Sequence, residues 1–431
     1  MPSLPVGRWL SRVERRTKGP SLALSAFSGI GAFMVFLTRW ILLLTSLALF
    51  SGCERQDAPP LDQQLYVWQR QWTSDHDVAL RDSRTDFSAL RVLALQAFPQ
   101  AGLSRARVDP ALLKRDGRPL IAVIRLDGQL KSLDQDEVTT QIQQVISDWQ
   151  ALGLSLSGVE IDHDAGNARL PSYREFLQRL RAHLPASLPL SITALPAWLD
   201  SRELPALLST VDSSVLQVHA VSDPRRGLFD PVQARQWANA WSRITSKPFY
   251  LALPAYGVAL LPGGGGAPIV ESEIRIEREG KRQELLADPQ QLSQLSAELR
   301  ADPPAHLAGL IWFRLPLAND RRAWSLTTLR AVVRGEALSS RLALKLSAQE
   351  GLYDIGISNE GNLDSAWPER VTLAVRGCEG ADALAGYALQ QGPDLLTFTR
   401  LHDGRIAAGG QRAMGWARCA QIDQGGSNVY P

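Results

Sequence analysis

Cysteine is scarce in this chain, three among 431 residues, and none of the three lies in a setting expected of a nucleophile. Metal-ligand spacing is missing as well. Asp75-His76-Asp77, His163 and His219 offer ligand types, but no pattern among them matches a zinc or calcium site. No Gly-x-Gly-x-x-Gly follows the first strand candidate, so a dinucleotide fold has no support. No Gly-x-Ser-x-Gly elbow exists, which removes serine hydrolysis of that type. Nor is there an excess of either charge. Lys and Arg number 46 against 44 Asp and Glu, a formal +2, so no nucleic-acid partner is expected. Neither a cofactor nor a metal is expected, and no oligomeric state follows from the sequence.

What remains is the composition of an ordinary folded protein, 45% hydrophobic and 21% charged. Much of the basic excess sits in the first forty residues, at Arg8, Arg12, Arg15, Arg16, Lys18 and Arg39. An apolar run, Trp40 to Phe50, follows Arg39 and ends at Ser51-Gly52-Cys53. It is short against the roughly 20 apolar residues of a membrane span, and it has the layout of an export signal over residues 1–53. Leu49-Phe50-Ser51-Gly52-Cys53 resembles a bacterial lipobox, with Phe50 where Leu is usual. That resemblance implies that Cys53 is lipidated and becomes the first mature residue. With Glu54 rather than Asp beside it, it implies a lipid anchor in the outer membrane, on its periplasmic face. Met34 to Cys53 is a complete signal by itself, so Met34 is a candidate start. Export would put Cys378 and Cys419 in an oxidising compartment, where they are expected to pair.

Residues 54–62 read as a polar linker with Pro59 and Pro60. Over 63–335, short apolar runs alternate with amphipathic stretches. The strand candidates are Leu65–Trp72, Val92–Phe98, Leu120–Leu126, Gly158–Asp164, Leu190–Leu195, Val215–Val221, Phe249–Pro254 and Leu310–Leu315. Helical patterns run over Val138–Leu152, Tyr173–Leu184, Pro231–Ile244 and Pro289–Leu299, the first preceded by Asp134, Asp136 and Glu137, which suit a helix N-terminus. Such alternation predicts parallel βαβ units. Eight of them in about 270 residues fit a closed (β/α)8 barrel of the TIM type. Two short runs, Ile269–Ile276 and Gln283–Leu286, read as a hairpin inserted in the loop after the seventh strand, on the face where barrels carry their sites. Over 341–431 the runs Leu342–Leu346, Tyr353–Ser358, Val371–Val375 and Leu396–Thr399 are separated by Gly, Asn and Asp turns. They predict a small β-sandwich stapled by the cysteine pair.

The most informative stretch is Ser157-Gly158-Val159-Glu160-Ile161-Asp162-His163-Asp164. Strand side chains alternate faces, so Glu160, Asp162 and Asp164 share one face, and Val159 and Ile161 the other. The apolar face must meet the helices. The carboxylates then point into the barrel, rising in layers toward its mouth, while His163 faces a helix. Buried charge is costly without partners. Crowded like charges hold at least one proton to higher pH, which is how a carboxylic acid becomes a general acid near neutrality. Arg125 and Arg314 are the candidate counter-ions of a purely structural network. Trp68, Trp72, Trp198, Tyr256 and Trp312, near strand ends, are candidates for stacking on a sugar face, and Trp72 and Trp198 stand out as lying at C-terminal ends. Gln217 and His219 share a face on the sixth strand and are expected to reach the same pocket.

The same stretch resembles the strand-four motif of glycoside hydrolase family 18, Asp-Gly-x-Asp-x-Asp-x-Glu, matching at Gly158 and Asp162. Leu253-Pro254-Ala255-Tyr256-Gly257 is similar to a later segment of that family, and Gly309-Leu310-Ile311-Trp312 to its last strand with a pocket-floor Trp. Val159 to Asp164 with Tyr173 resembles more closely a bacterial family known as domain of unknown function 3142, over roughly residues 61–335. What the resemblance implies is a barrel acting on a polysaccharide or glycan. Asp164 would be the acid, Asp162 the partner of a substrate acetamido group, Glu160 their support, and Tyr256 a hydrogen-bond donor. Asp164 stands where family 18 has Glu, Glu160 and Ser157 where it has Asp. That departure motivates a second reading, a barrel that binds a glycan or protein without hydrolysing anything.

Overall fold

The structure, a computed structural model, describes residues 60–431 except 100, 131–133, 220–226, 264–268, 272–281, 319 and 385. The export signal, Cys53 and residues 54–59 of the linker lie outside the described residues. The first part contains, in chain order, β1 (Asp62–Val67), β2 (Ala89–Phe98), β3 (Gly102–Arg105), β4 (Leu120–Leu126), β5 (Leu156–His163) and β6 (Leu190–Ala194). It continues with β7 (Ser213–Gln217), β8 (Phe249–Pro254), β9 (Gly257–Leu261), β10 (Ile269–Glu271), β11 (Gln283–Leu286) and β12 (Leu307–Phe313). Eight of these strands pair in parallel in the order β1, β2, β4, β5, β6, β7, β8, β12, and β12 pairs again with β1. The ring is closed, a TIM-type barrel as expected.

Among the described residues the helices are α1 (Ser74–Ser83), α2 (Pro110–Asp116), α3 (Gln135–Ala151), α4 (Leu170–His183), α5 (Leu204–Ser209), α6 (Pro231–Ser242), α7 (Pro289–Ala301) and α8 (Leu326–Arg334). Four begin alike. Asp109, Asp134, Asp230 and Asp288 each accept a backbone N–H of the first turn, and Pro110, Pro231 and Pro289 follow in three of them. An Asp side chain satisfies an otherwise orphaned donor, and Pro supplies a helical φ where no N–H is needed. The outward faces of the strands bury Leu90, Val92, Ile124, Val159 and Ile161 against the helices. Inside the ring a smaller cluster holds Tyr66, Val123, Val215, Ala252 and Ile311.

All eight expected barrel strands are present, two of them, Leu120–Leu126 and Phe249–Pro254, to the residue. β1 ends at Val67 rather than Trp72. The expected hairpin needs correction. β10 and β11 do not pair with each other; both pair antiparallel with β9, one on each edge. β9 is a buried apolar pentad at the centre of this three-stranded sheet. At its start, a side chain on Gly257 would stand 2.4 Å from the Leu285 carbonyl oxygen, so only glycine lets β11 approach.

The C-terminal part comprises β13 (Leu342–Gln349), β14 (Leu352–Asn359), β15 (Ser365–Ala366), β16 (Arg370–Ala383), β17 (Tyr387–Gln391), β18 (Leu395–Arg400), β19 (Arg405–Ile406) and β20 (Gln411–Tyr430). A six-stranded antiparallel sheet runs β13-β14-β20-β16-β18-β17, accompanied by the β15–β19 pair. Cys378 and Cys419 are directly opposite across β16 and β20 and joined by a disulfide. The buried Asp364 carboxylate accepts from the backbone N–H of Ser325 and the hydroxyl of Thr328, which ties the sheet domain to the start of α8.

Candidate active site

The interior of the barrel is built in layers along β5. At the lowest, Glu160 is fully buried. It is ion-paired to Arg91 and accepts from the Tyr66 hydroxyl at 2.6 Å. Arg91 in turn donates to Gln64 Oε1 at 2.9 Å and lies over the Tyr250 ring. Burial pushes the Glu160 carboxyl up, against the opposing pull of Arg91 and of the Tyr66 hydroxyl. One layer higher, Asp162 Oδ1 accepts from Thr193 Oγ1 at 2.5 Å and from Gln217 Nε2 at 3.1 Å, and Oδ2 accepts from Arg125 at 2.8 Å. Highest, past the end of β5, Asp164 Oδ2 accepts from the other arm of the Arg125 fork at 2.6 Å.

Asp164 Oδ1 is buried and has no hydrogen-bond partner among the described residues. Burial, and then the neighbouring Asp162, push the Asp164 carboxyl above the usual carboxylate range, against the pull of Arg125. Its backbone is held on two sides. A Cβ on Gly128 would stand 2.2 Å from the Asp164 carbonyl oxygen, and the Trp198 indole N–H donates to the next carbonyl, Ala165, at 2.7 Å.

A cavity of about 280 Å³ opens at this level. That is near the low end for small-molecule sites, which run ~300–1,000 Å³. Asp162 and Asp164 form part of its wall, with Tyr66, Trp68, Tyr256 and Phe313 supplying aromatic surface. Trp68 and Phe313 meet edge to face at 5.1 Å. Gln217 and His219 reach the cavity, as the strand pattern implied. The His219 ring stacks on Phe313, with Nδ1 at 3.3 Å from the Tyr256 hydroxyl. Burial pushes His219 down to about 4, so it is neutral at neutral pH. Arg314 also lines the cavity but pairs with Asp320 at 2.5 Å, not with the carboxylates of β5.

Four expectations are corrected. Glu160 supports the layer above but does not line the cavity. Trp312 points the other way, into the barrel–helix core, with its indole N–H on Gln63; its neighbour Phe313 has the inward parity. Trp198 is fully buried beside Tyr173, because the 3-10 turn Pro196–Asp200 folds its ring back under Ala165. Trp72 stacks on His76 at 4.8 Å, away from the cavity. His163 faces outward as expected, its Nδ1–H donating to the Leu126 carbonyl and its ring meeting Tyr173 of α4 edge to face. Tyr66, Arg70, Gln96, Phe98, Thr193 and Phe313 also line the cavity, beyond the residues expected from the sequence. Alternation from Gln96 to Phe98 and from Ser191 to Thr193 would have found three of them.

Residues 116–318 match the family model described as "Domain of unknown function (DUF3142)", and residues 342–420 match a second, "Domain of unknown function (DUF8456)". No curated protein matches the chain in sequence. Solved structures similar to it include the spore cortex-lytic enzyme SleL of Bacillus cereus, 13% identical, with a TM-score of 0.48 over 65% of this chain and 75% of that one. A chitinase from Bacteroides thetaiotaomicron is 12% identical, with a TM-score of 0.47 over 64% and 97%. The GH18 chitinase ChiB of Flavobacterium johnsoniae is also 12% identical, with a TM-score of 0.45 over 64% and 94%. The carboxylate strand β5 and the cavity wall from β4 to β12 thus fall within the segment that matches this family model, and the parallel strands of that segment belong to a closed barrel.

Proposed function

We propose that the cavity binds a sugar unit of a polysaccharide or glycan and that Asp164 delivers a proton to the glycosidic oxygen. The observation that carries this reading is Asp164 itself: a carboxyl in the wall of an aromatic-lined cavity at the barrel mouth, raised by burial and by Asp162, with a buried Oδ1 that has no hydrogen-bond partner among the described residues. A sugar presents apolar ring faces and polar edges. Trp68, Tyr256 and Phe313 offer the first a surface, while Gln217 and Thr193 fix the Asp162 carboxylate beside the second. In the step, the O–H of Asp164 breaks as the leaving oxygen takes the proton. The C1–O bond cleaves, and the carbohydrate cation is captured by the substrate's own acetamido oxygen, as the resemblance to family 18 implies, before water completes hydrolysis. Asp162, held as the neighbouring acceptor, would orient the acetamido N–H. The chain is further proposed to be anchored in the cell envelope through Cys53, where such polymers lie.

The test is hydrolysis of β-linked amino-sugar oligomers by the full chain and by Asp164→Asn. Loss of about 10²–10⁴-fold with unchanged folding is expected, the span typical of general acid catalysis. Equal turnover by the variant would remove Asp164 from the reaction. One observation favours a second reading, binding without cleavage: the single Arg125 fork grips Asp162 and Asp164 together. Tight sugar binding by the unaltered chain with no product released would select it.

A further inference from the structure

Among the described residues the cavity wall carries three arginines, and they are not equivalent. Arg125 is matched by Asp162 and Asp164, and Arg314 by Asp320. Arg70, just past the end of β1, has no carboxylate within ion-pair distance among the described residues. Its guanidinium lies over the Phe98 ring at 5.4 Å, and its Nε donates to Gln96 Oε1 at 3.1 Å. These two contacts hold the group against the wall, and Phe98 and Gln96 line the same cavity. Stacking and one neutral acceptor orient a guanidinium without neutralising it. Its terminal N–H groups remain for a planar, bidentate anion.

We infer that the sugar this site takes carries a carboxylate, which Arg70 receives at the rim while the ring lies against Trp68 and Phe313. The inference rests on the sugar-binding reading above and narrows it. Two kinds of sugar share that chemistry: uronic acids, with the carboxylate on C6, and amino sugars bearing an ether-linked carboxylic acid. A neutral sugar would leave Arg70 facing solvent.

Binding of glucuronic acid and N-acetylmuramic acid to the full chain should be compared by titration calorimetry with that of their neutral counterparts, glucose and N-acetylglucosamine. One of the two acids is expected to bind about tenfold more tightly than its neutral counterpart, the gain of one charge-assisted hydrogen bond. The acid that does so identifies the source. Arg70→Gln should abolish the difference, and Arg70→Lys should restore part of it. A preference for the acid that survives Arg70→Gln overturns the inference. So does equal affinity for acid and neutral sugar in the unaltered chain, which leaves the sugar-binding reading standing. Failure of all four sugars to bind overturns both.

Discussion

Asp164 and His219 are shifted in opposite directions by the same cause. Burial disfavours charge, so it raises the carboxyl and lowers the imidazole. For Asp164 the consequence is catalytic. The acid form is the useful one, so activity should persist above the ordinary carboxylate range of about 4 and fall as pH rises through the raised value. For His219 the consequence is stability. Its folded value of about 4 lies below the ordinary 6.5, so between those values the unfolded chain binds the extra proton. Stability should therefore be unaffected by this residue above about pH 6.5 and decline as pH falls from there to about 4, by up to ~3 kcal/mol. Chemical denaturation of His219→Gln across that range checks it: the variant should lose the part of the decline that belongs to the imidazole. An identical pH dependence in both proteins would show that His219 is not held neutral by burial.

At the scale of the element, β5 explains which parts of the site were legible. Period-two alternation is imposed by backbone geometry, so Glu160, Asp162 and Asp164 could be placed inward from sequence alone, as could Gln217 at the end of β7 and His219 two residues beyond it. How far a carboxylate reaches is not in the pattern. Glu160 sits one layer too deep to touch the cavity, and only the closed ring shows Arg91 and Tyr66 completing its bonds. Trp312 was misplaced because likeness to another family's last strand outweighed parity, which points Phe313 inward. β1 ends at Val67, five residues before Trp72, which puts Trp68 rather than Trp72 at the mouth. Glu160→Gln should separate support from chemistry. Leaving Arg91 buried without its counter-charge is expected to cost about 3–5 kcal/mol in stability by denaturant titration. Sugar affinity at temperatures where the variant is folded should stay within a few-fold. A stable variant that no longer binds sugar would return Glu160 to the site.

At the scale of the molecule, the barrel was legible because eight repeats of one pattern reinforce each other, and no single boundary had to be right. The helices α1, α2, α5 and α8 carry fewer turns of helical periodicity than the other four and do not stand out in the sequence. The antiparallel C-terminal sheet was legible from its turns, but its role was not. No residue pattern there speaks of chemistry, and its clearest contacts with the barrel are structural, at Asp364 and Ser325. The anchor belongs to this scale too. Expressed in a bacterium that processes lipoproteins, the full chain should incorporate labelled fatty acid and sediment with membranes, and Cys53→Ala should do neither. Labelling that persists in the variant would place the lipid elsewhere.

The most direct measurement is a crystal of the Asp164→Asn chain soaked with an amino-sugar oligomer. A sugar ring against Trp68 and Phe313, with its glycosidic oxygen within hydrogen-bond distance of the residue at 164, is the expected result. A ring bound elsewhere on the protein, or one in the cavity with that oxygen turned away from position 164, would contradict it.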